Sequence, residues 1–234
     1  MQVSAIKTRI FLEGESLYNF VTEHVGQLRN KSILVVTSKI VALAENRTLI
    51  IKNARTKQRA IQRESDWAVK TKYAWLTLKD GLFMAAAGID ESNGNGKLIL
   101  LPEDSFNSAE KLRRRLMRHY QIKNLGVVIT DSRTSALRAG VTGVSLGYSG
   151  FCGIRDYIGK PDIFGRKFHM SKTNIADSLA SAAVLLMGEG AERHPLAIII
   201  DAPVTFAAKI NRDEIKIPLE DDLYKPLFNP KEII

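Results

Sequence analysis

A single cysteine, Cys152, stands among 234 residues, which excludes a disulfide framework and any zinc cluster built on thiolates. No uninterrupted apolar run approaches the roughly 18 residues that a membrane helix needs. The opening MQVSAIKTRIFLEGE has neither the apolar core nor the small-residue cleavage site of a signal peptide. The expectation is a cytoplasmic protein that does not enter a membrane. Also missing are a GxxxxGK[ST] loop, which argues against a P-loop nucleotidase, and a GxGxxG after a strand, the dinucleotide fingerprint. The four histidines, His24, His119, His169 and His194, lack metal-ligand spacing. Nothing repeats at a period of roughly 20 to 50 residues.

What is present is ordinary globular composition, 45% hydrophobic and 25% charged, which removes disordered and collagen-like chains from consideration. At about 150 residues per domain the length falls between one and two domains, and no composition break marks a boundary. The expectation is one unit over residues 1–234, with room for a small lobe in its middle. Thirty-four Lys and Arg face 25 Asp and Glu, and the net charge of +9 suits anionic partners. Much of the excess lies in Lys111, Arg113, Arg114, Arg115, Arg118 and Lys123. With one aromatic nearby, Tyr120, and no nucleic-acid-binding motif, this stretch reads as a solvated helix face rather than a nucleic-acid surface.

Periodicity supplies the elements. Leu17, Phe20, Val21, Val25 and Leu28 recur at three- and four-residue steps and predict a helix over 15–28. Short β-branched runs predict buried strands at 33–37, 125–130 and 197–200. The charged stretch 53–70 is read as helical from Thr56. Residues 73–78 and 82–87 flank Lys79-Asp80-Gly81 and predict a hairpin on the Asp-Gly turn. Residues 88–96 read as a loop, followed by a strand at 97–101. Asn107, with Glu110 three residues on, gives the capping-box pattern for the next helix. The last long helix is expected over 174–187, stopped by Gly188. The tail after Pro218 is expected to drape over a surface.

Two aspartates stand out by position. Asp131 follows the apolar run 125–130, and a carboxylate at the end of a buried strand is where α/β proteins place metal and phosphate ligands. Asp90 follows the run 82–89 and opens Asp90-Glu91-Ser92-Asn93-Gly94. Hard oxygens on two strand ends suit Mg²⁺ or Mn²⁺ bridging a nucleotide. Taken singly, each is more simply a turn residue, since Asp favours loops after strands. Gly140, Gly143, Gly147, Gly150 and Gly153 follow Arg133 and Arg138. They read as a backbone cradle for phosphate with arginine forks, as a tightly packed strand pair that excludes side chains, or as both together.

AAGIDESN (86–93), LLPEDSFNSAEKLRRRL (100–116), VVITDSR (127–133), RAGVTGVSLGYSGFCGIRDYIGKPDIFGR (138–166) and IADSLASAAVLLMGEG (175–190) closely resemble the coenzyme F420:L-glutamate ligase family. ILVVTSKIVALAE (33–45) resembles that family's N-terminal segment. The resemblance implies an α+β fold, the F420 γ-glutamyl ligase fold, seen as an intertwined homodimer. It implies ligation of L-glutamate to a carboxylated acceptor through an acyl phosphate, with GTP as co-substrate and Mg²⁺ or Mn²⁺ as cofactor. Asp90 and Asp131 match the family's metal-binding aspartates, and Ser132 stands where a metal-ligating threonine is usual. Ser38, Lys39 and Asn93 match nucleotide-contacting positions. No general acid or base is implied.

Departures stand beside these matches. Leu43 replaces the family's second lysine, Asn46 a glycine, and Thr8-Arg9-Ile10-Phe11 the segment GLPLI. Asp201-Ala202-Pro203-Val204-Thr205-Phe206 stands where a glycine-rich nucleotide and metal segment is usual. GTP and ATP therefore both stay open, as do a reduced folate and the F420 precursor as acceptor. The ending DAPVTF…EDDLYKPLF leans towards the bacterial folate branch. The rival reading is a catalytically silent nucleotide-binding or structural relative, motivated by the missing lysine and glycine segment.

Overall fold

The computed structural model describes residues 1–51 and 53–227. Along it run β1 (Gln2–Ile6), α1 (Leu17–His24), β2 (Ser32–Thr37), α2 (Ser38–Ala44), β3 (Thr48–Ile50), α3 (Ala54–Glu64) and β4 (Trp67–Lys70). There follow β5 (Trp75–Lys79), β6 (Leu82–Ala85), β7 (Lys97–Ile99), α4 (Ser105–His119), β8 (Leu125–Thr134) and β9 (Val141–Ser149). The chain closes with β10 (Ile154–Asp156), β11 (Lys172–Asn174), α5 (Ile175–Met187) and β12 (Leu196–Ile200). This is a mixed α+β architecture. It divides into two compact units, residues 1–46 with 102–214, and residues 47–101 with the described residues from 215 onward. No described helix is long and apolar enough to cross a membrane.

The first unit is built on a sheet of order β1-β12-β2-β8-β9. Only β2 and β8 run parallel, with Ser32 opposite Leu125 and Thr37 opposite Thr130. Ile33 to Val36 are fully buried, so β2 reads as an unbroken apolar run rather than an alternating one. Phe20 and Val21 of α1 and Leu112 and Leu116 of α4 join Leu34, Val36, Val127 and Ile129 in the main core. Helix α1 ends earlier than its periodicity predicts: Val25 turns extended (φ −99°, ψ 95°), although Val25 and Leu28 stay buried. The apolar spacing marked burial past the helix end. Helix α5 has Asn174 as its N-cap and stops at Gly188, as expected.

Three further expectations are corrected here. Asp104, not Asn107, caps α4, its carboxylate accepting the Asn107 N–H at 2.9 Å. Glu110 instead takes Arg113 at 2.8 Å, and Arg113 is buried against Ser149 Oγ at 2.9 Å rather than solvated. Strand β8 continues past Thr130, paired with β9 after a register shift between Ile129 and Thr130. The glycine-rich stretch is largely β9, packed tightly. A Cβ on Gly143 would sit 2.5 Å from the Ala180 carbonyl oxygen, and one on Gly147 2.5 Å from the Phe106 nitrogen. These glycines admit helix backbone, the packed-strand alternative. Where the chain leaves this unit and returns, Glu45 ties the two ends: its carboxylate accepts the Glu103 N–H at 2.9 Å and the Ser108 hydroxyl at 2.5 Å.

The second unit holds the antiparallel sheet β4-β5-β6 and the pair β3-β7. Asp80 (φ 53°) and Gly81 (φ 82°) make the expected hairpin turn. Helix α3 starts ahead of Thr56 because Asn53 and Thr56 form a reciprocal capping box, and the end of the stretch read as helical, Trp67–Lys70, is β4 instead. Ile61, Ala87, Ile89, Leu98 and Leu100 form its core. Ala86 (φ 51°), Ala87 (φ 55°) and Gly88 (φ 70°) are left-handed in succession, at a cost of about 1–2 kcal/mol for each alanine. Fully buried Thr77 holds this turn, its hydroxyl donating to the Met84 carbonyl and accepting the Ala87 N–H, both at 2.8 Å. Arg47 joins this unit's two ends, donating to the Leu101 carbonyl at 3.1 Å while its own carbonyl accepts the Leu100 N–H at 2.9 Å. Beyond Pro218, two short 3₁₀ turns are formed by Leu219–Asp221 and Lys225–Leu227. The rest of the tail, 228–234, lies outside the described residues.

Candidate functional site

The carboxyl ends of the parallel strands β2 and β8 are where α/β sheets bind ligands. Helix α2 begins directly after β2, so Ser38 and Lys39 open at that edge. Asp131 lies one residue past Thr130, the last partner of β2, and pairs with Val144 of β9. It is therefore not the end of a strand but the point where β8 leaves its parallel neighbour. The chain after α5 reaches the same edge, for the Thr37 N–H donates to the Pro195 carbonyl at 3.0 Å. Thr8 donates to the Arg193 carbonyl at 3.0 Å, bringing the N-terminal segment alongside.

One contact was not foreseen. The Ser132 hydroxyl donates to Glu189 Oε2 at 3.1 Å across 57 positions of sequence. Glu189 stands in Gly188-Glu189-Gly190, where Gly188 (φ 78°) ends α5 and turns the chain. Read as a helix stop, this triplet hid a carboxylate. The available signal was an acid between two glycines inside a segment already matched to the family.

Two buried side-chain nitrogens, Arg133 Nε and His194 Nδ1, have no hydrogen-bond partner among the described residues. Buried polar groups are ordinarily paired, and an orphan costs about 1–3 kcal/mol unless a ligand satisfies it. Both lie on the segments that carry the candidate residues, two positions from Asp131 and next to Pro195. Asp131, Ser132 and Glu189 offer hard oxygens, which suit Mg²⁺ or Mn²⁺. Among the described residues no three His, Cys, Asp or Glu side chains gather to hold a metal ion. A Mg²⁺ site needs only one or two carboxylates when phosphates and waters complete it, so the donors here fit that ion.

Asp90 and Asn93 belong to the second unit. Asp90 pairs its backbone with Ile99, and its carboxylate accepts the Ser92 N–H at 2.6 Å and the Ser92 hydroxyl at 2.8 Å. The turn role expected of a lone aspartate after a strand is thus filled. Asn93 (φ 56°) is exposed in the same loop. Of the predicted residues, Ser38, Lys39, Asp131 and Ser132 share one sheet edge in the first unit. Asp90 and Asn93 share one loop in the second.

A family model described as F420-0:Gamma-glutamyl ligase matches residues 5–201. The chain is 30% identical to the coenzyme F420:L-glutamate ligase of Archaeoglobus fulgidus over 91% of each chain. It is 31% identical to that of Methanosarcina acetivorans over 95% of this chain and 94% of the relative. Against that of Methanosarcina mazei it is 33% identical over 84% of each.

Proposed function

The chain belongs to the F420-0:gamma-glutamyl ligase family and is a ligase forming carbon–nitrogen bonds, and from that premise we propose that it joins the amine of L-glutamate to a carboxylate of the coenzyme F420 precursor, consuming GTP or ATP. The observation that carries this reading is the Ser132–Glu189 contact beside Asp131 at the β2/β8 edge. It supplies oxygen donors at the sheet end where phosphate-bearing ligands bind.

In the proposed reaction an acceptor carboxylate oxygen attacks the γ-phosphorus, and the nucleoside diphosphate leaves. The glutamate amine then attacks the acyl phosphate carbon. Phosphate departs, the nitrogen loses a proton, and the amide remains. Asp131, Ser132 and Glu189 would hold a divalent cation; Asp90, carried by the second unit, matches a metal-binding aspartate on the family resemblance alone. When bound, Mg²⁺ or Mn²⁺ neutralises charge on the transferring phosphoryl group. On the family resemblance Ser38 and Lys39 in the first unit, and Asn93 in the second, match nucleotide-contacting positions. The Arg133 guanidinium finds in the anionic substrates the partner that its Nε lacks. The acceptor is assigned on the names of the relatives, which favour the F420 precursor over a folate.

The test is mass spectrometry of enzyme incubated with L-glutamate, Mg²⁺ or Mn²⁺, GTP or ATP, and either the F420 precursor or a reduced folate. One added glutamyl residue on the F420 precursor, with phosphate release requiring both glutamate and acceptor, is expected. Asp131→Asn and Glu189→Gln should each lose at least a hundredfold in turnover while melting near the parent. Addition to folate alone overturns the acceptor. Absence of product from every mixture favours the silent relative.

A further inference from the structure

The sheet of the first unit has a second, unused edge. At the start of β2 and the end of β12 lies a cavity of about 400 Å³, lined by Arg29, Asn30, Lys31, Ser32 and Asp201 and walled on its apolar side by residues including Phe206. That volume falls in the range of small-molecule sites. Five strand steps separate Ser32 from Thr37, so at roughly 3.3 Å per residue the cavity lies about 17 Å from the carboxyl end of β2.

The chemistry of this cavity is unfinished. Ser32 is 1% exposed, and its hydroxyl has no hydrogen-bond partner among the described residues. A buried hydroxyl of this kind destabilises a fold unless something outside the chain pairs it. Asn30 Oδ1 accepts the N–H groups of Lys123 at 3.2 Å and Asn124 at 2.8 Å, which fixes the side chain and leaves its amide N–H₂ as a donor. Lys31 (φ 67°) donates its backbone N–H to the Asn124 carbonyl at 2.8 Å, and Asp201 is also left-handed (φ 53°). Arg29, Lys31 and Asp201 thus line one cavity, yet among the described residues no ion pair joins Asp201 to either cation.

Two cations and one carboxylate, held without pairing, complement a ligand with two carboxylates and one ammonium. We propose that this cavity, lined in part by the segment that replaces the family's glycine-rich one, binds a free acidic α-amino acid about 17 Å from the β2/β8 edge that carries Asp131. Arg29 and Lys31 take the carboxylates, and the guanidinium fork suits one of them in bidentate fashion. Asp201 takes the ammonium, while the Ser32 hydroxyl and the Asn30 amide complete the oxygens. This recognition rests on the charge pattern and the orphan hydroxyl, not on the ligase reading.

The experiment is calorimetric titration of L-glutamate, L-aspartate and glutarate into the full chain without nucleotide or divalent metal. Wild type, Arg29→Ala, Lys31→Ala, Ser32→Ala, Asp201→Asn and Asp131→Asn are compared, with a melting curve for each. Asp131→Asn should bind L-glutamate as wild type does, and Arg29→Ala and Lys31→Ala should each weaken it at least tenfold. Ser32→Ala should weaken it several-fold while melting at or above wild type, since the orphan is removed. Glutarate, lacking the ammonium, should bind at least tenfold more weakly than L-glutamate, a difference that Asp201→Asn erases. Loss of binding in Asp131→Asn with none in Arg29→Ala would place the amino acid at the ligase centre and overturn the proposal. So would a lowered melting temperature for Ser32→Ala with unchanged binding, or the absence of any binding heat.

Discussion

Replacing Thr77 by valine keeps the shape of a fully buried side chain and removes one hydroxyl. That hydroxyl is shared by the Met84 carbonyl and the Ala87 N–H, each at 2.8 Å. Met84 is the ladder partner of Thr77, and a carbonyl has a second lone pair, so the loss falls mainly on Ala87. Stranding one buried N–H costs about 1–3 kcal/mol, and the turn it steadies already carries two left-handed alanines. The sum expected for Thr77→Val is about 2–3 kcal/mol. Thr77→Ser keeps the hydroxyl and gives up one methyl, about 1 kcal/mol. Trp67 and Trp75 are the chain's two tryptophans, and both lie in the second unit, so tryptophan fluorescence reports that unit's unfolding. With a urea slope near 1 kcal/mol per molar, the low end for small units, the valine midpoint should fall by about 2–3 M and the serine midpoint by about 1 M. A valine shift below about 0.5 M, or one no larger than that of serine, would refute the reasoning.

Other outcomes are expected from separate parts of the fold. Burial raises the Glu110 carboxyl, but hydrogen bonds from Arg113, Ser149 and Arg114 outweigh it and hold its pKa at about 2, below the ordinary 4.5. That stabilisation is complete above about pH 4.5 and is lost as pH falls towards 2; Glu110→Gln should therefore cost about 3 kcal/mol at pH 7, with the gap to wild type closing in acid melts. Gly147→Ala drives a Cβ into α4 backbone and should lower the melting temperature by about 5–10 °C, from roughly 2–3 kcal/mol of overpacking. Leu137, Ile163, Phe164 and Met170 are almost wholly exposed; light scattering should find the mass of a homodimer, halved by Ile163→Asp with Phe164→Asp. The departures at Thr8–Phe11 and Asp201–Phe206 predict that calorimetry finds ATP and GTP binding within about tenfold of each other.

The buried strands, the Asp-Gly hairpin and α5 with its Asn174 and Gly188 ends were legible because local chemistry dictates them. Strand β9 was legible only as one of two readings of its glycines, and the backbone of α4 and α5 pressed against them decides for the packed strand. The cap of α4 was misplaced by three residues because Asp104 and Asn107 are both good cap residues, and only geometry chooses. At the candidate site, Asp131 stood out by following an apolar run, whereas Ser132 was reached only through the family resemblance. Glu189 did not stand out, because its partner lies 57 residues away and no period links them. Two successive left-handed alanines are likewise invisible to propensity, which would have placed glycine or asparagine there.

The side chains at the two ends of the middle segment have a consequence for how this chain could change over time. Glu45 gathers the departing and returning backbone of the first unit, and Arg47 does the same for the second. About 55 residues lie between these ends. Loop-closure entropy grows only with the logarithm of length, so exchanging that excursion for one ten times shorter or longer alters closure by about 2 kcal/mol. Two interactions on the scale of the Glu45 contacts offset that difference. The sheet that bears Asp131 is thereby buffered against the content of its own insertion. Asp90 and Asn93 can be rewritten by drift or by grafting while the scaffold that carries Asp131, Ser132 and Glu189 keeps its closure.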